Sequence, residues 1–316
     1  MSNIHTENPK FPEIVRFPSN ILLELNKKTP IRNILHILFC TGLFILLGLF
    51  NTQYVPWYLW PLLWLFQGFM MVGYLSISHD GAHFSLFHRP WQNLLCGRLC
   101  SLVILQCFSV YRAYHMEHHA HTATDKDTEP RGEFEDLKDY LLCLSGIQFA
   151  LDISLTGWDT LRGKYADYLK TPGDRSAAKQ DTLALIAWLF LMLMFTWQAP
   201  QLTLNLYWGP ILFYFPAVIY SGLLEHYGCE ESINPLTNTR SVRPGRIFNF
   251  FDWNAGYHAE HHLFPAMPSR SYPKVASILG SSLKYIETSY FQFHWRLIQQ
   301  LLNKKQAHRN LTGAIS

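Results

Sequence analysis

Two long stretches of this chain carry no formal charge, and no other feature limits its fold so tightly. Residues 33–79 and 182–224 contain no Asp, Glu, Lys or Arg, so 47 and 43 consecutive positions hold none of the chain's 26 basic and 23 acidic residues. A helix needs about 20 apolar residues to cross the hydrocarbon core of a bilayer, so each stretch is long enough to do so twice. Each also has a polar break near its middle, Asn51-Thr52-Gln53 in the first and Gln198-Ala199-Pro200-Gln201 in the second. The pattern predicts two helical hairpins, with crossings at 33–50, 55–77, 182–197 and 204–224. A pair of helices buried in a large soluble core is the alternative, and charge-free runs of this length argue against it.

Hairpins return the chain to the side it left, which places residues 1–32, 78–181 and 225–316 on one face. All 26 Lys and Arg fall there, 5, 11 and 10 in turn, so the positive-inside tendency makes that face cytoplasmic. The first 30 residues lack a continuous apolar core and carry Glu7, Glu13 and Glu24, so no signal peptide is expected and the N-terminus stays inside. The fold class expected is therefore all-α integral membrane: four transmembrane helices in two hairpins beneath a cytosolic helical cap. The domain plan is an N-terminal segment (1–32), a membrane domain (33–275, with its cap at 78–181 and 225–275) and a C-terminal tail (276–316), helical around 291–302. Within the cap, 94–110 with Arg98 and 141–155 with Asp152 read as interfacial helices, and 159–181 as an exposed connection. An apolar fraction of 49% with 15% aromatic residues excludes disordered and acidic-tail classes, which are poorer in both. A net charge of +3 does not suggest a nucleic-acid partner, and six cysteines without a CxxC pair read as reduced or buried thiols.

Histidine is unusually frequent, with 15 copies, and most gather in three clusters on the same face: His79-Asp80-Gly81-Ala82-His83, His115-Met116-Glu117-His118-His119 and His258-Ala259-Glu260-His261-His262. On a helix, positions i, i+3 and i+4 project within about one turn of each other, so each cluster can aim two or three imidazoles at a single point. A metal ion requires such an arrangement of neutral nitrogen donors. At this composition one HxxHH arises by chance with a probability of roughly 0.03, and two with less than about one in a thousand. His226, directly after the fourth predicted crossing, is a ninth candidate. Eight or nine imidazoles exceed the six or so donors that a first-row ion accepts, so two metals are expected. Asp80, Glu117, Asp252 and Glu260 are candidates to accept a ligand's second ring N–H. Glu117 and Glu260 lie at i+2, however, and point away from the imidazoles of their own clusters. His88 and His121 are expected at the surface or behind the ligands, and isolated His5, His36, His294 and His308 are expected to be structural.

With these residues in view, the sequence resembles the membrane-bound fatty acid desaturase and hydroxylase family, the histidine-box di-iron enzymes. The resemblance rests on the three clusters, on Asn254-Ala255-Gly256-Tyr257-His258-Ala259-Glu260-His261-His262-Leu263-Phe264-Pro265, and on the four-crossing layout, and it covers residues 55–275. It implies an oxidoreductase that uses two iron ions, oxygen and two electrons from an external carrier on an unactivated C–H bond of a lipid chain. Carried over by position, His79, His83, His115, His118, His119, His258, His261 and His262 would be iron ligands. His226 matches the extra histidine that members supply after their last transmembrane helix, and Asn254 a position where an asparagine reaches an iron through water. Three features depart from subgroups of the family. The first box is HxxxH, not the HxxxxH of animal stearoyl-type acyl-CoA enzymes. The third box opens with His258 rather than the Gln of front-end desaturases. No His-Pro-Gly-Gly motif of a fused cytochrome b5 occurs, so the electrons are expected from a separate carrier of ferredoxin or cytochrome b5 type.

The ligand set by itself suits iron, zinc or copper. A site at the ends of membrane helices receives an acyl chain, and a hydrocarbon offers a Lewis acid no carbonyl to polarise, which leaves a redox metal with oxygen. The leading expectation is thus an oxygen-dependent di-iron desaturase of lipid acyl chains, multi-pass in a bacterial inner membrane or the endoplasmic reticulum. A hydroxylase or ketolase of a fatty acyl, sphingolipid or carotenoid substrate shares the first hydrogen abstraction and is the nearest alternative. A zinc-dependent membrane hydrolase, needing fewer histidines and a general base for each metal, is a more distant one. Trp57, Trp60, Trp64, Phe66, Tyr207, Trp208, Phe213 and Tyr214 are available to enclose a chain, though interfacial aromatic belts account for them equally well.

Overall fold

The charge-free stretches become long helices in the computed structural model, which describes residues 17–129 and 133–313. A short helix α1 (Ser19–Leu25) leads into α2 (Pro30–Tyr54), which starts on a proline, where the missing N–H costs nothing. It ends before Pro56, which holds Val55 extended. After a 3₁₀ turn, α3 (Trp60–Ala82) runs to the first histidine cluster. Next come α4 (Pro90–Val103) and α5 (Phe108–His121), bent by 108° across a break that holds Leu105 at φ 59. The pair α6 (Leu137–Leu144) and α7 (Ile147–Leu161) is bent by 53°. That bend turns on Gly146 at φ +70, where an added Cβ would sit 2.5 Å from the Phe215 backbone, so only glycine fits.

Helix α8 (Pro172–Gln198) begins ten positions before the charge-free run, which corrects the expectation of an exposed connection through residue 181. The cause is local. Pro172 occupies the first turn, and Thr171 and Asp174 form a reciprocal capping box, with Asp174 N–H donating to Thr171 Oγ1 at 3.1 Å and Thr171 N–H to Asp174 Oδ2 at 3.0 Å. A cap of this kind is worth about 1 kcal/mol. The short α9 (Pro200–Thr203) passes through a π-helical segment, Leu204–Trp208, into α10 (Gly209–Gly222). Among the described residues, four segments are each long and apolar enough to cross a membrane: Ser19–Tyr54, Trp57–Ala82, Pro172–Gln198 and Pro200–Gly222.

Helices α3 and α10 form the centre of the bundle, where Met70, Met71, Tyr74 and Ile77 meet Ile211, Tyr214 and Val218. Their packing needs Gly68, since a Cβ there would lie 2.7 Å from Phe213. Helices α2 and α8 lie outside and expose Leu38, Phe39, Leu46, Phe190, Leu193 and Trp197, an apolar surface suited to lipid rather than water. The breaks in the two stretches meet at one end, where Asn51 Nδ2 donates to Asn205 Oδ1 at 2.8 Å and Asn205 Nδ2 to Thr52 Oγ1 at 3.1 Å. The other end carries the histidines.

Beyond α10 the chain forms α11 (Pro235–Asn238), strand β1 (Arg240–Val242), α12 (Arg246–Phe251), α13 (His258–Leu263), α14 (Tyr272–Leu279), strand β2 (Tyr285–Glu287) and α15 (Tyr290–Gly313). Strands β1 and β2 pair in parallel, with Arg240 opposite Tyr285 and Val242 opposite Glu287. This small sheet corrects the all-α expectation: three residues per strand give no hydropathy signal. Helix α14 runs across the boundary expected at 275/276, and its Tyr272, Val275 and Leu279 pack with Phe17, Leu25, Tyr257 and Met267. On α15, His294 is clamped between Tyr140 OH and the Tyr220 carbonyl, each at 2.8 Å. Residues 1–16, with His5, and the side chain of His308 lie outside the described residues.

Candidate metal centre

Three helix ends and one turn deliver nine imidazoles to one end of the bundle. His79 stands on the last turn of α3 and His83 at its C-cap, α5 carries His115, His118 and His119, α13 carries His258, His261 and His262, and His226 follows α10. They form two groups. His79, His83, His115, His119 and His261 converge on one point, and His118, His226, His258 and His262 on another, with the donor atoms of each group within 4.8 Å of one another. The expectation that each cluster aims at a single point is corrected, because each HxxHH divides. In α5 the outer pair, His115 and His119, joins the five-membered group and His118 the other. In α13 His258 and His262 join the four-membered group and His261 crosses over. At 3.6 residues per turn, positions i+3 and i+4 point about 100° apart around the axis, so a helix lying between two centres supplies both.

The separations are those of donors around a shared ion. His79 Nε2 lies 2.9 Å from His261 Nε2, which lies 2.8 Å from His119 Nε2, itself 3.0 Å from His115 Nε2. In the smaller group His118 Nε2 is 3.2 Å from both His226 and His262, and His258 is 3.2 Å from His226 and 3.1 Å from His262, again Nε2 to Nε2. Two imidazoles bound at about 2.0–2.1 Å and at right angles place their nitrogens about 2.9 Å apart. His83 Nε2 is buried with no hydrogen-bond partner, as a nitrogen that serves an ion would be. Burial first, then the neighbouring imidazoles, holds His83, His115, His258, His261 and His262 well below the usual histidine range and His119 at about 2. These rings are neutral and present lone pairs, the form that a metal needs.

With Nε2 turned inward, Nδ1 faces outward and meets an acceptor. Asp127 Oδ1 takes the His118 Nδ1 proton at 2.7 Å, the Asn238 carbonyl that of His226 at 3.0 Å, and Tyr272 OH that of His261 at 3.0 Å. Tyr272 OH donates to the Met267 carbonyl at 3.1 Å, so it must accept from His261, which fixes the tautomer that leaves Nε2 unprotonated. Glu129 Oε1 lies 3.4 Å from His115 Nδ1 and Glu225 Oε1 3.4 Å from His258 Nδ1. Burial works against a charge on Asp127, yet the His118 ring and the Glu129 and Ala123 backbone N–H groups hold its carboxyl at about 2.

The acidic candidates fare differently. Asp80 stands beside the site, with Oδ1 3.7 Å from His79 Nδ1 while Oδ2 accepts from Trp253 Nε1 at 3.0 Å and Ser269 Oγ at 2.8 Å. Glu117 reaches no box histidine: its i+2 position puts it on the outer face of α5, paired with Lys170 and 3.6 Å from His121. Glu260 instead ties α13 to β1 through Ser241 and through Arg243 Nη2 at 3.0 Å. Asp252 is fully buried, and burial lifts its carboxyl to about 7, offset in part by the Gly256 backbone N–H. Asn254 adopts φ 61 and organises the turn before α13 through its backbone, accepting from Tyr257 N–H at 3.1 Å, with no side-chain hydrogen bond among the described residues. His88 is exposed, and His36 stacks on Phe250 and Trp253. A small apolar pocket is lined by Cys40, Met70, Gly73, Tyr74, Ile77, Phe251 and Trp253. None of the aromatic residues proposed from sequence lines it. The orienting roles of Asp127, Glu129 and Glu225 had one available signal, an acid beside or soon after a box histidine. Tyr272 and the Asn238 carbonyl had none.

The profile of the fatty acid desaturase family matches residues 55–294. The sn-1 oleoyl-lipid 12-desaturase of Arthrospira platensis is 23% identical over 81% of this chain and 78% of its own length. The sn-1 acyl-lipid omega-3 desaturase (ferredoxin) of a Synechocystis species is 26% identical over 76% and 74%, and the Delta(5) fatty acid desaturase of Caenorhabditis elegans 25% over 87% and 70%. A 12-desaturase of Anabaena variabilis reaches 36% identity over 76 residues, which span 24% of this chain and 22% of that protein.

Proposed function

This chain belongs to the fatty acid desaturase family, and from that premise we propose that it is an oxygen-dependent membrane desaturase that introduces a double bond into the acyl chain of a membrane lipid. The reading assigns one iron to His79, His83, His115, His119 and His261 and a second to His118, His226, His258 and His262. The observation that carries it is the convergence of nine imidazoles in two groups, with facing Nε2 atoms 2.8–3.2 Å apart. Bound iron would supply oxygen activation and the oxidising power to break an unactivated C–H bond.

The chain's own residues prepare that chemistry. Asp127 and Tyr272 keep the ring protons of His118 and His261 on Nδ1, so both Nε2 atoms stay available. Burial excludes water that would compete for the ligands: His118 is 0% exposed and His261 2%. The membrane domain, residues 33–275, crosses the bilayer four times as two hairpins. The contact of Asn51 and Thr52 with Asn205 at the end away from the histidines supports that arrangement, since it brings both helix breaks to one side. All 26 basic residues then share the histidine face, which is cytoplasmic by the positive-inside tendency. An acyl chain enters from the lipid along α3, and electrons arrive from a separate carrier of ferredoxin type, as the name of the Synechocystis relative states for that protein.

The test joins metal analysis of the purified protein with mass spectrometry of lipids from a host expressing the gene. Two irons per chain and acyl chains lacking two hydrogens are expected. Bound zinc in place of iron would overturn the reading, and acyl chains gaining an oxygen would replace desaturation with hydroxylation.

A further inference from the structure

The two histidine groups are unequal, five donors against four, and a carboxylate stands beside the smaller one. Glu129 Oε1 lies 3.4 Å from the outward Nδ1 of His115, a member of the larger group. Its Oε2 lies 3.7 Å from Nε2 of His118, the inward atom that also faces His226 and His262 at 3.2 Å. One carboxylate therefore touches the back of one group and the front of the other. It is held there by the same residue that orients His118, because Asp127 Oδ1 accepts both the Glu129 backbone N–H at 3.0 Å and the His118 ring at 2.7 Å. Glu225 provides the contrast: its carboxylate meets the outward Nδ1 of His258 at 3.4 Å, where it can orient a ring but not reach an ion.

Charge leads to the same residue. Neutral imidazoles around two divalent ions leave their full positive charge in a buried site, and such a site is favoured when an anionic oxygen lies close by. The four-membered group offers fewer donors than the six or so that a first-row ion accepts, and iron accepts mixed nitrogen and oxygen ligands.

We propose that Glu129 supplies an oxygen donor to the four-histidine group, directly or through one water, while its other oxygen holds His115 of the five-histidine group. This rests on the function proposed above. It makes the two metals inequivalent and joins them through one side chain.

The experiment compares the full-length wild type with Glu129→Gln and Glu225→Gln in detergent, each loaded with ferrous iron and titrated with a chelator. Each is also read by Mössbauer spectroscopy and checked for folding by circular dichroism. Wild type should show two iron environments. Glu129→Gln keeps the size of the side chain and an acceptor for His115, and should release one iron about tenfold to hundredfold more readily, with one spectral component altered. A second pair, His83→Ala with and without Glu129→Gln, identifies the site. His83→Ala weakens the five-histidine group, so the added loss must fall on the remaining, tightly held iron. An added loss on the already weakened iron would overturn the inference and leave Glu129 only orienting His115. Glu129→Gln matching wild type in both readouts, or differing no more than Glu225→Gln does, would also overturn it while the di-iron reading stands. A wild type that holds no pair of irons would remove both.

Discussion

Polar groups are buried at both ends of the helical bundle, and the two ends satisfy them in opposite ways. Where the long helices break, Asn51 Nδ2 and Trp64 Nε1 both donate to Asn205 Oδ1, at 2.8 and 2.7 Å, and Asn205 Nδ2 donates to Thr52 Oγ1 at 3.1 Å. Donor meets acceptor in each of these contacts, and Asn51 Oδ1 is the one atom of the cluster left buried without a partner. At the histidine end, seven Nε2–Nε2 approaches of 2.8–3.2 Å set like against like. Rings whose proton is held on Nδ1 have only a lone pair at Nε2, so these atoms cannot satisfy one another. The comparison separates a polar cluster that serves the fold from one whose geometry is compatible with a bound metal.

The sharpest way to break the comparison is to remove a ligand. His118→Ala or His261→Ala should lower acyl-chain desaturation by at least about a hundredfold while membrane fractionation shows normal insertion, and full activity in either variant would refute the ligand assignment. Next in size is the loss of an orienting group. Asp127→Asn and Tyr272→Phe should each weaken iron retention by about tenfold to a hundredfold, read by chelator competition, whereas no variant at the Asn205 end should alter it.

Asn205→Leu tests the other end, because it leaves the Asn51 and Trp64 donors buried without an acceptor. It should cost about 1–3 kcal/mol of stability, read as a lower melting temperature with unchanged metal content. Acid separates the ends in the metal-free protein. The depressed imidazoles bind fewer protons folded than unfolded, so stability is complete above the ordinary histidine value of 6.5 and is lost as pH falls below it. Melting temperature should therefore decline below about pH 6.5, and bound iron, which adds no protons to the folded state, should raise the whole curve and leave that decline in place. The smallest effect is expected at the surface: Glu117→Gln, which removes a partner of Lys170, should change stability by no more than about 0.5 kcal/mol and leave activity as it was.

The four apolar spans and the gathering of nine histidines were legible in the sequence because each is a local property: charge-free length for the spans, helical spacing for the clusters. The edges were less legible. Helix α8 begins at Pro172 inside a charged segment, because the absence of charge marks hydrocarbon depth, whereas capping and hydrogen bonding decide where a helix starts. Glu117 and Glu260 were drawn toward the site by their nearness in sequence, and their i+2 positions carried them instead to Lys170 and to Ser241 with Arg243.

Residue order alone thus determined that this chain forms apolar helices ending in imidazoles, since 47 and 43 uncharged positions and two HxxHH turns permit little else. Only the packing of α3, α5, α10 and α13 decided that His118 and His261 leave their own clusters for the opposite group, and that Asp127, Tyr272 and the Asn238 carbonyl stand behind the ligands. A helix fixes the angles between its own side chains, but which of two centres each one faces depends on where the neighbouring helices lie, and no single segment encodes that.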